Sequence, residues 1–225
     1  MAKTTNINLE NLSKEELIDL YREINIMSKI NHPTILQFIG YSLLNFRKKE
    51  KPVIITEYAS KLTLSNINSD EDDDEIILNL NDTQKLINIY GIAIGMSYLH
   101  SHNIIHRNLQ QESIFLDEHF YPKISKFNYA KEIESNTTFF ESRTDSKLKV
   151  KSNYVAPEVL TSLKYSKASD VYEFAFLSYL ILMEETPYFD FYPFISVADK
   201  EDHPELVAKE MLKQKWRPEF TDKIP

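Results

Sequence analysis

Tyr98-Leu99-His100-Ser101-His102-Asn103-Ile104-Ile105-His106-Arg107-Asn108-Leu109-Gln110-Gln111-Glu112-Ser113 decides the fold. It joins the end of a long apolar segment to a polar loop. Upstream, Thr83 to Ser101 reads as a buried helix, with Asn81 and Gln84 as its capping pair. Leu86 to Leu99 is the most apolar stretch, yet it is too short to span a bilayer and carries Asn88 and Ser97. Gly91 and Gly95, four residues apart, read as a face where this helix packs closely against a neighbour. Downstream, Ile104 to Leu116 and Tyr121 to Phe127 read as short extended pieces around loops.

Working toward the N-terminus, Lys14 to Ile30 places Leu17, Leu20, Ile24, Met27 and Ile30 on one helical stripe. Ser13 and Glu16 have capping-box spacing. Pro33 disfavours helical geometry in His32 and stops the helix. Ile35 to Leu43 and Val53 to Tyr58 read as strands, separated by the basic turn Arg47 to Pro52. Asp70 to Glu75 is six consecutive acids. Charges packed so densely repel one another, which predicts a solvated loop and not a metal site or a docking tail. Toward the C-terminus, Ala130 to Ser152 is polar and reads as mobile. Pro157 to Leu163, Ala168 to Met183 and Glu205 to Gln214 read as helices, the middle one strongly apolar and central.

Composition narrows the function. The 225 residues carry 26 basic and 34 acidic side chains, a formal net charge of −8, which disfavours general nucleic-acid binding. There is no cysteine, so thiolate catalysis and cysteine-ligated metals are excluded. Gly40, Gly91 and Gly95 are the only glycines, against an average of roughly 7%. Neither G-x-G-x-x-G nor a P-loop can therefore be built. Met1 to Glu10 is polar and has no apolar targeting core.

Six patches, in order, resemble the protein kinase family. The opening stretch resembles the helix and catalytic loop written H-R-D-L-K-P-E-N. Pro122 to Asn128 stands where that family has D-F-G. Ala156-Pro157-Glu158 matches A-P-E unaltered. Ser169 to Phe174 resembles the start of the central large-lobe helix. Arg22-Glu23-Ile24 with Asn31-His32-Pro33 resembles the C-helix and its exit, and Val53 to Ala59 the fifth strand and hinge. Leu109, Tyr172 and Phe174 are closest to the tyrosine-kinase-like group of serine/threonine kinases. The resemblance implies an α+β, two-lobed kinase-like fold over residues 1–225. It would have a truncated small β lobe, residues 1–58, and a mainly α-helical large lobe, residues 59–225, lacking its last helices.

The departures from the family pattern decide the expected activity. Phosphoryl transfer is mostly positioning and charge neutralisation around magnesium. Lys126 stands where the resemblance calls for the first metal-binding Asp. A unit pair at 4 Å and an effective dielectric near 20 is worth roughly 4 kcal/mol, so an ammonium repels a divalent ion by roughly twice that. Ser113 replaces the second metal ligand, Gln110 the Lys that meets the transferred phosphate, and Asn108 the general base. An amide cannot take the hydroxyl proton, and losing a general base alone costs roughly 10²–10⁴-fold in rate.

Other positions follow from the resemblance. Lys3, twenty residues before Glu23, fits the third-strand Lys that pairs with the C-helix Glu, with a solvent-exposed terminal Lys as the equal alternative. Thr56, Glu57 and Ala59 would line a nucleotide pocket with Lys3 and Glu23. Met27, His106 and Phe127 match the apolar stack linking the lobes. Asp170 would cap amides of the catalytic loop. Arg107 either receives a phosphate from the segment holding Thr137, Thr138, Ser142, Thr144 and Ser146 or, as favoured, makes local hydrogen bonds. Glu158 would lack the Arg that pairs with it elsewhere in the family. The remaining histidines read as surface or core residues.

The expectation is a catalytically inactive pseudokinase, a cytoplasmic signalling scaffold or regulator. Its partner would be a protein, an active kinase or its substrate, with no nucleic acid and no membrane. No metal site is expected; ATP is an optional ligand and magnesium is disfavoured. One alternative is a residual ATP-binding serine/threonine kinase with weak or metal-independent phosphotransfer. The other is an incomplete, non-functional kinase fragment.

Overall fold

The computed structural model describes residues 2–4, 13–45, 47–49, 51–60, 62–68, 79–134, 137–141, 155–184 and 213. The acidic run Asp70 to Glu75, Ser142, Thr144 and Ser146, and the helix read over Glu205 to Gln214 (Lys213 apart) lie outside the described residues.

Helix α1, Lys14–Lys29, begins where its sequence says it should. Ser13 Oγ accepts the Glu16 N–H at 3.2 Å, and Glu16 Oε2 accepts the Ser13 N–H at 2.9 Å. Both orphan donors are thereby satisfied. Leu20, Met27 and Ile30 are buried on its stripe, joined by Ile26. The helix stops at Lys29, and Ile30 is already extended.

Three antiparallel strands form one sheet: β1 (Ala2–Thr4), which precedes α1, and β2 (Phe38–Ser42) and β3 (Val53–Thr56), which follow it, in the order β1-β3-β2. Lys3 sits opposite Ile54, and so does Tyr41 from the other side. The strand read over Ile35 to Leu43 is shorter than expected. Ile35 and Leu36 are buried in succession, which a half-buried strand does not do. They turn instead toward Ile124, where Leu36 N–H donates to its carbonyl at 2.9 Å.

Helix α2, Asp82–Ser101, carries the Asn81–Gln84 capping box. A Cβ on Gly91 would lie 2.6 Å from Pro122 Cγ; one on Gly95 would lie 2.5 Å from Thr34 Oγ1 and 2.6 Å from Ile124 Cδ1. The two glycines do bring the helix up against its neighbours. Helix α4, Lys167–Met183, is capped by Ser166. Ile92 and Leu99 of α2 and Leu177, Leu180 and Ile181 of α4 share one buried core with Ile35, Ile54, Ile124 and Phe127. Lys85 Nζ meets Glu184 Oε1 at 2.8 Å, tying the start of α2 to the end of α4.

Between these helices run short ladders. β4 (Ile104–Ile105) pairs with β7 (Lys131–Glu132), β5 (Ile114–Leu116) with β6 (Pro122–Ile124), and β8 (Phe140–Glu141) with β9 (Lys164–Tyr165). Helix α3, Pro157–Ser162, precedes β9. The polar segment from Ala130 was expected to be mobile; its described part instead contributes β7 and β8. Two-residue ladders fixed by distant partners leave no periodicity in the sequence. Among the described residues, no helix is long and apolar enough to cross a membrane.

Candidate active-site loop

The loop after β4 is held from below by α4. Asp170, buried near the start of α4, accepts the His106 N–H through Oδ2 and the Arg107 N–H through Oδ1, both at 2.9 Å. Asp170 thus caps two amides of this loop from α4. Two further groups join the network. Glu173 Oε2 accepts the Leu109 N–H at 2.8 Å, and His100 Nε2 lies 2.8 Å from Asp170 Oδ2. Reading His100 as an ordinary surface or core residue missed that contact, because its partner is seventy residues away. Arg107 itself takes the left-handed conformation, φ 64°, so the loop is bent at a point that L-residues disfavour.

His106 is fully buried and bridges two chain segments. Its Nδ1 accepts the Asn108 N–H at 3.3 Å, and its Nε2 donates to the Ser125 carbonyl at 2.8 Å. Those partners assign the neutral tautomer with the proton on Nε2. Burial pushes the imidazole below its ordinary range, opposed by the Asp170 carboxylate. Phe127 stacks edge-on against it at 5.3 Å between ring centroids. Met27 is buried in the same core as Phe127, with Phe38 packed against that core.

The four departing positions are drawn together by two serines. Ser113 is fully buried, and its hydroxyl donates to the Asn108 carbonyl at 2.6 Å. The Ser113 carbonyl accepts from Ser125, through N–H at 2.8 Å and Oγ at 2.9 Å. Ser125 immediately precedes Lys126, which adopts φ 60° and ψ 53°. Gln110 opens the short turn Gln111–Ser113 and accepts the Ser113 N–H at 2.8 Å. The loop and the Lys126 segment are therefore sewn to each other by main-chain and serine hydrogen bonds.

Among the described residues, no cluster of three or more His, Asp or Glu side chains is placed to hold a metal ion. A hard divalent cation takes carboxylate or carbonyl oxygens. Lys126 offers an ammonium, and the Ser113 hydroxyl is turned into the protein.

The remaining site candidates are more dispersed. Glu23 is buried on α1, and the structure describes the backbone of Lys3 but not its side chain. Thr56 is buried, with its hydroxyl donating to the Glu57 carbonyl at 3.1 Å. Glu57 Oε1 accepts the Gln37 N–H at 3.0 Å and pairs with Lys123 at 3.0 Å. Ala59 is buried, and Ser60 anchors the strand exit to the Leu116 carbonyl. Glu158 lies in the first turn of α3.

Comparison with known proteins agrees with this arrangement. The family model for protein tyrosine and serine/threonine kinases matches residues 3–217. The chain belongs to that family. It is 32% identical over 181 residues to a putative serine/threonine-protein kinase/receptor of Acanthamoeba polyphaga mimivirus, covering 80% of this chain and 10% of that protein. It is 34% identical to the human tyrosine-protein kinase FRK over 73% of this chain and 31% of FRK. It is 28% identical to a serine/threonine-protein kinase of Arabidopsis thaliana over 96% of this chain and 38% of that protein. The chain thus spans between a tenth and two fifths of the length of these relatives.

Proposed function

We propose that this kinase-family chain is catalytically inactive and works as a signalling scaffold or regulator, through its surface, on a protein partner such as an active kinase or its substrate. The observation that supports this most is the pair Lys126 and Ser113. Lys126 stands where the family resemblance calls for a metal-binding Asp; Ser113 is buried with its hydroxyl committed to the Asn108 carbonyl. Asn108 and Gln110 remove the base and the phosphate-facing charge as well. We assign the chain to the tyrosine-kinase-like group and to a cytoplasmic setting. Residues 1–58 and 59–225 correspond to the small and large lobes.

Calorimetric titration with ATP, with and without magnesium, tests the reading. The expected result is no magnesium-dependent gain in affinity and no phosphate transfer to a general protein substrate. Magnesium-dependent turnover in the range of roughly 1–100 s⁻¹ usual for kinases would overturn it.

A further inference from the structure

Arg107 is buried under its own chain. Its Nε donates to the Tyr129 carbonyl. Its guanidinium carbon lies 5.2 Å from the Phe140 ring centroid and 5.3 Å from that of Tyr165. Those two rings are stacked on each other, 5.6 Å apart at 19°, because β8 and β9 place Phe140 directly opposite Tyr165. Lys131 Nζ lies 4.0 Å from the Phe140 ring, and Lys164 Nζ lies 4.8 Å from the neighbouring Phe139 ring. Tyr165 is buried with Ala156 and Val159, and Phe140 packs against that cluster.

Three cations and three aromatic rings therefore meet where the segment after Tyr129 returns to the loop. A guanidinium or ammonium over a ring face is attracted by the ring quadrupole, more strongly once water is excluded. We propose that Phe139 and Phe140 form an aromatic latch that docks this segment over Arg107, so that its position needs no phosphate on Thr137 or Thr138. An arriving phosphate would have to displace two stacked rings and the Tyr129 carbonyl from a guanidinium that is already engaged. The latch places the regulation of the loop in ring-to-cation packing, a step beyond the loss of phosphotransfer and independent of it.

Hydrogen exchange of the full chain, read by mass spectrometry without nucleotide, tests the latch separately from the ATP titration. Phe140→Leu keeps an apolar side chain and removes the ring face. The peptides holding Phe140 and Tyr165 are expected to exchange about two- to tenfold faster in it. Phe140→Trp should retain the wild-type rate, and Thr137→Glu with Thr138→Glu should leave it unchanged. Wild-type exchange in Phe140→Leu, loss of protection in Phe140→Trp, or a shift caused by the two glutamates would each overturn the proposal. Should Phe140→Leu fail to melt cooperatively, Lys131→Gln is read in the same way. An increase of about twofold upholds the latch, and no change overturns it.

Discussion

Glu173 Oε2 accepts the main-chain N–H of Leu109 at 2.8 Å, although 64 residues separate them. Burial raises this carboxyl well above its ordinary range, and the neighbouring Asp170 carboxylate raises it further; the Leu109 N–H and Arg107 pull the other way. The folded state therefore holds the proton more tightly than the unfolded chain. Stability is fully present below the unfolded value, near 4.5, and is lost as pH rises from there through the folded pKa. Glu173→Gln keeps an acceptor for Leu109 and cannot ionise. Its urea-unfolding free energy should lack that loss, so it gains on the wild type as pH rises. Glu173→Ala leaves the Leu109 N–H unpaired and should cost about 1–3 kcal/mol.

His106 works in the opposite sense. Its folded pKa is lowered by burial from 6.5, and protonating Nδ1 would abolish its bond from Asn108. The unfolded chain binds more protons, so stability rises with pH through the window below 6.5 and is lost on acidification. Between about 4.5 and 6.5 the two groups oppose each other. The Glu173→Gln variant should expose the His106 slope alone, as a steeper gain in stability toward pH 6.5. His106→Phe should remove it, while leaving the Ser125 carbonyl and Asn108 N–H unpaired at about 1–3 kcal/mol each. Thermal unfolding across pH 4–8 reads both; identical pH profiles for the wild type and Glu173→Gln would refute the linkage.

What the sequence revealed and what it hid divide along chain distance. Ser13 with Glu16, and Asn81 with Gln84, are local patterns, and both capping boxes form. Asp170 was singled out because the motif around it resembles a known one. Glu173, four residues before Leu177 of the core, offered no such signal. A lone Glu on a helix reads as solvated until the fold shows that its neighbour is an unpaired amide. Ser125 is similar, since its role depends on the Ser113 carbonyl brought beside it by the β5–β6 pairing. Phe140 and Tyr165 lie in polar or mixed stretches, and only the pairing of β8 with β9 makes them a stack. The identity of each departing residue was readable; the hydrogen bonds that rehouse those residues were not.

Gly95 is a sharper test of packing than any large core side chain. Its missing Cβ leaves room for Thr34 Oγ1 and the Ile124 Cδ1 methyl, which would lie 2.5 and 2.6 Å from a methyl placed there. The Ile124 backbone is itself fixed, accepting the Leu36 N–H and donating to the Thr34 carbonyl at 2.8 Å. The clashing atoms are side-chain ends, yet Ile124 is fully buried and Thr34 Oγ1 is hydrogen-bonded to His32 Nδ1 at 3.0 Å, so moving either one loses contacts. Gly95→Ala should therefore destabilise by about 1–3 kcal/mol from overpacking, despite the better helix propensity of Ala, worth about 1 kcal/mol the other way. Chemical denaturation gives the sign directly, and a stabilised variant would show that the α2–β6 contact is looser than drawn.

Ser113 tests the proposed loss of phosphotransfer at the loop itself. Replacing it with Asn would restore the residue type the family uses to hold a metal. The position is fully buried, however, and its hydroxyl occupies the space against the Asn108 carbonyl. An Asn side chain is larger and brings a second polar atom that needs a partner there. Ser113→Asn should cost about 1–3 kcal/mol through overpacking, or through a buried polar group left unpaired. Ser113→Ala removes only one hydrogen bond and should cost about 0.5–1.5 kcal/mol. Comparing the two by urea unfolding decides the matter. If Asn is tolerated better than Ala, the loop has room for the Asn that the family resemblance calls for, and the proposed loss of metal binding rests on Lys126 alone. If Asn is the worse of the two, the serine has been built into the core, and on the proposed reading converting Lys126 alone to Asp should not confer magnesium binding.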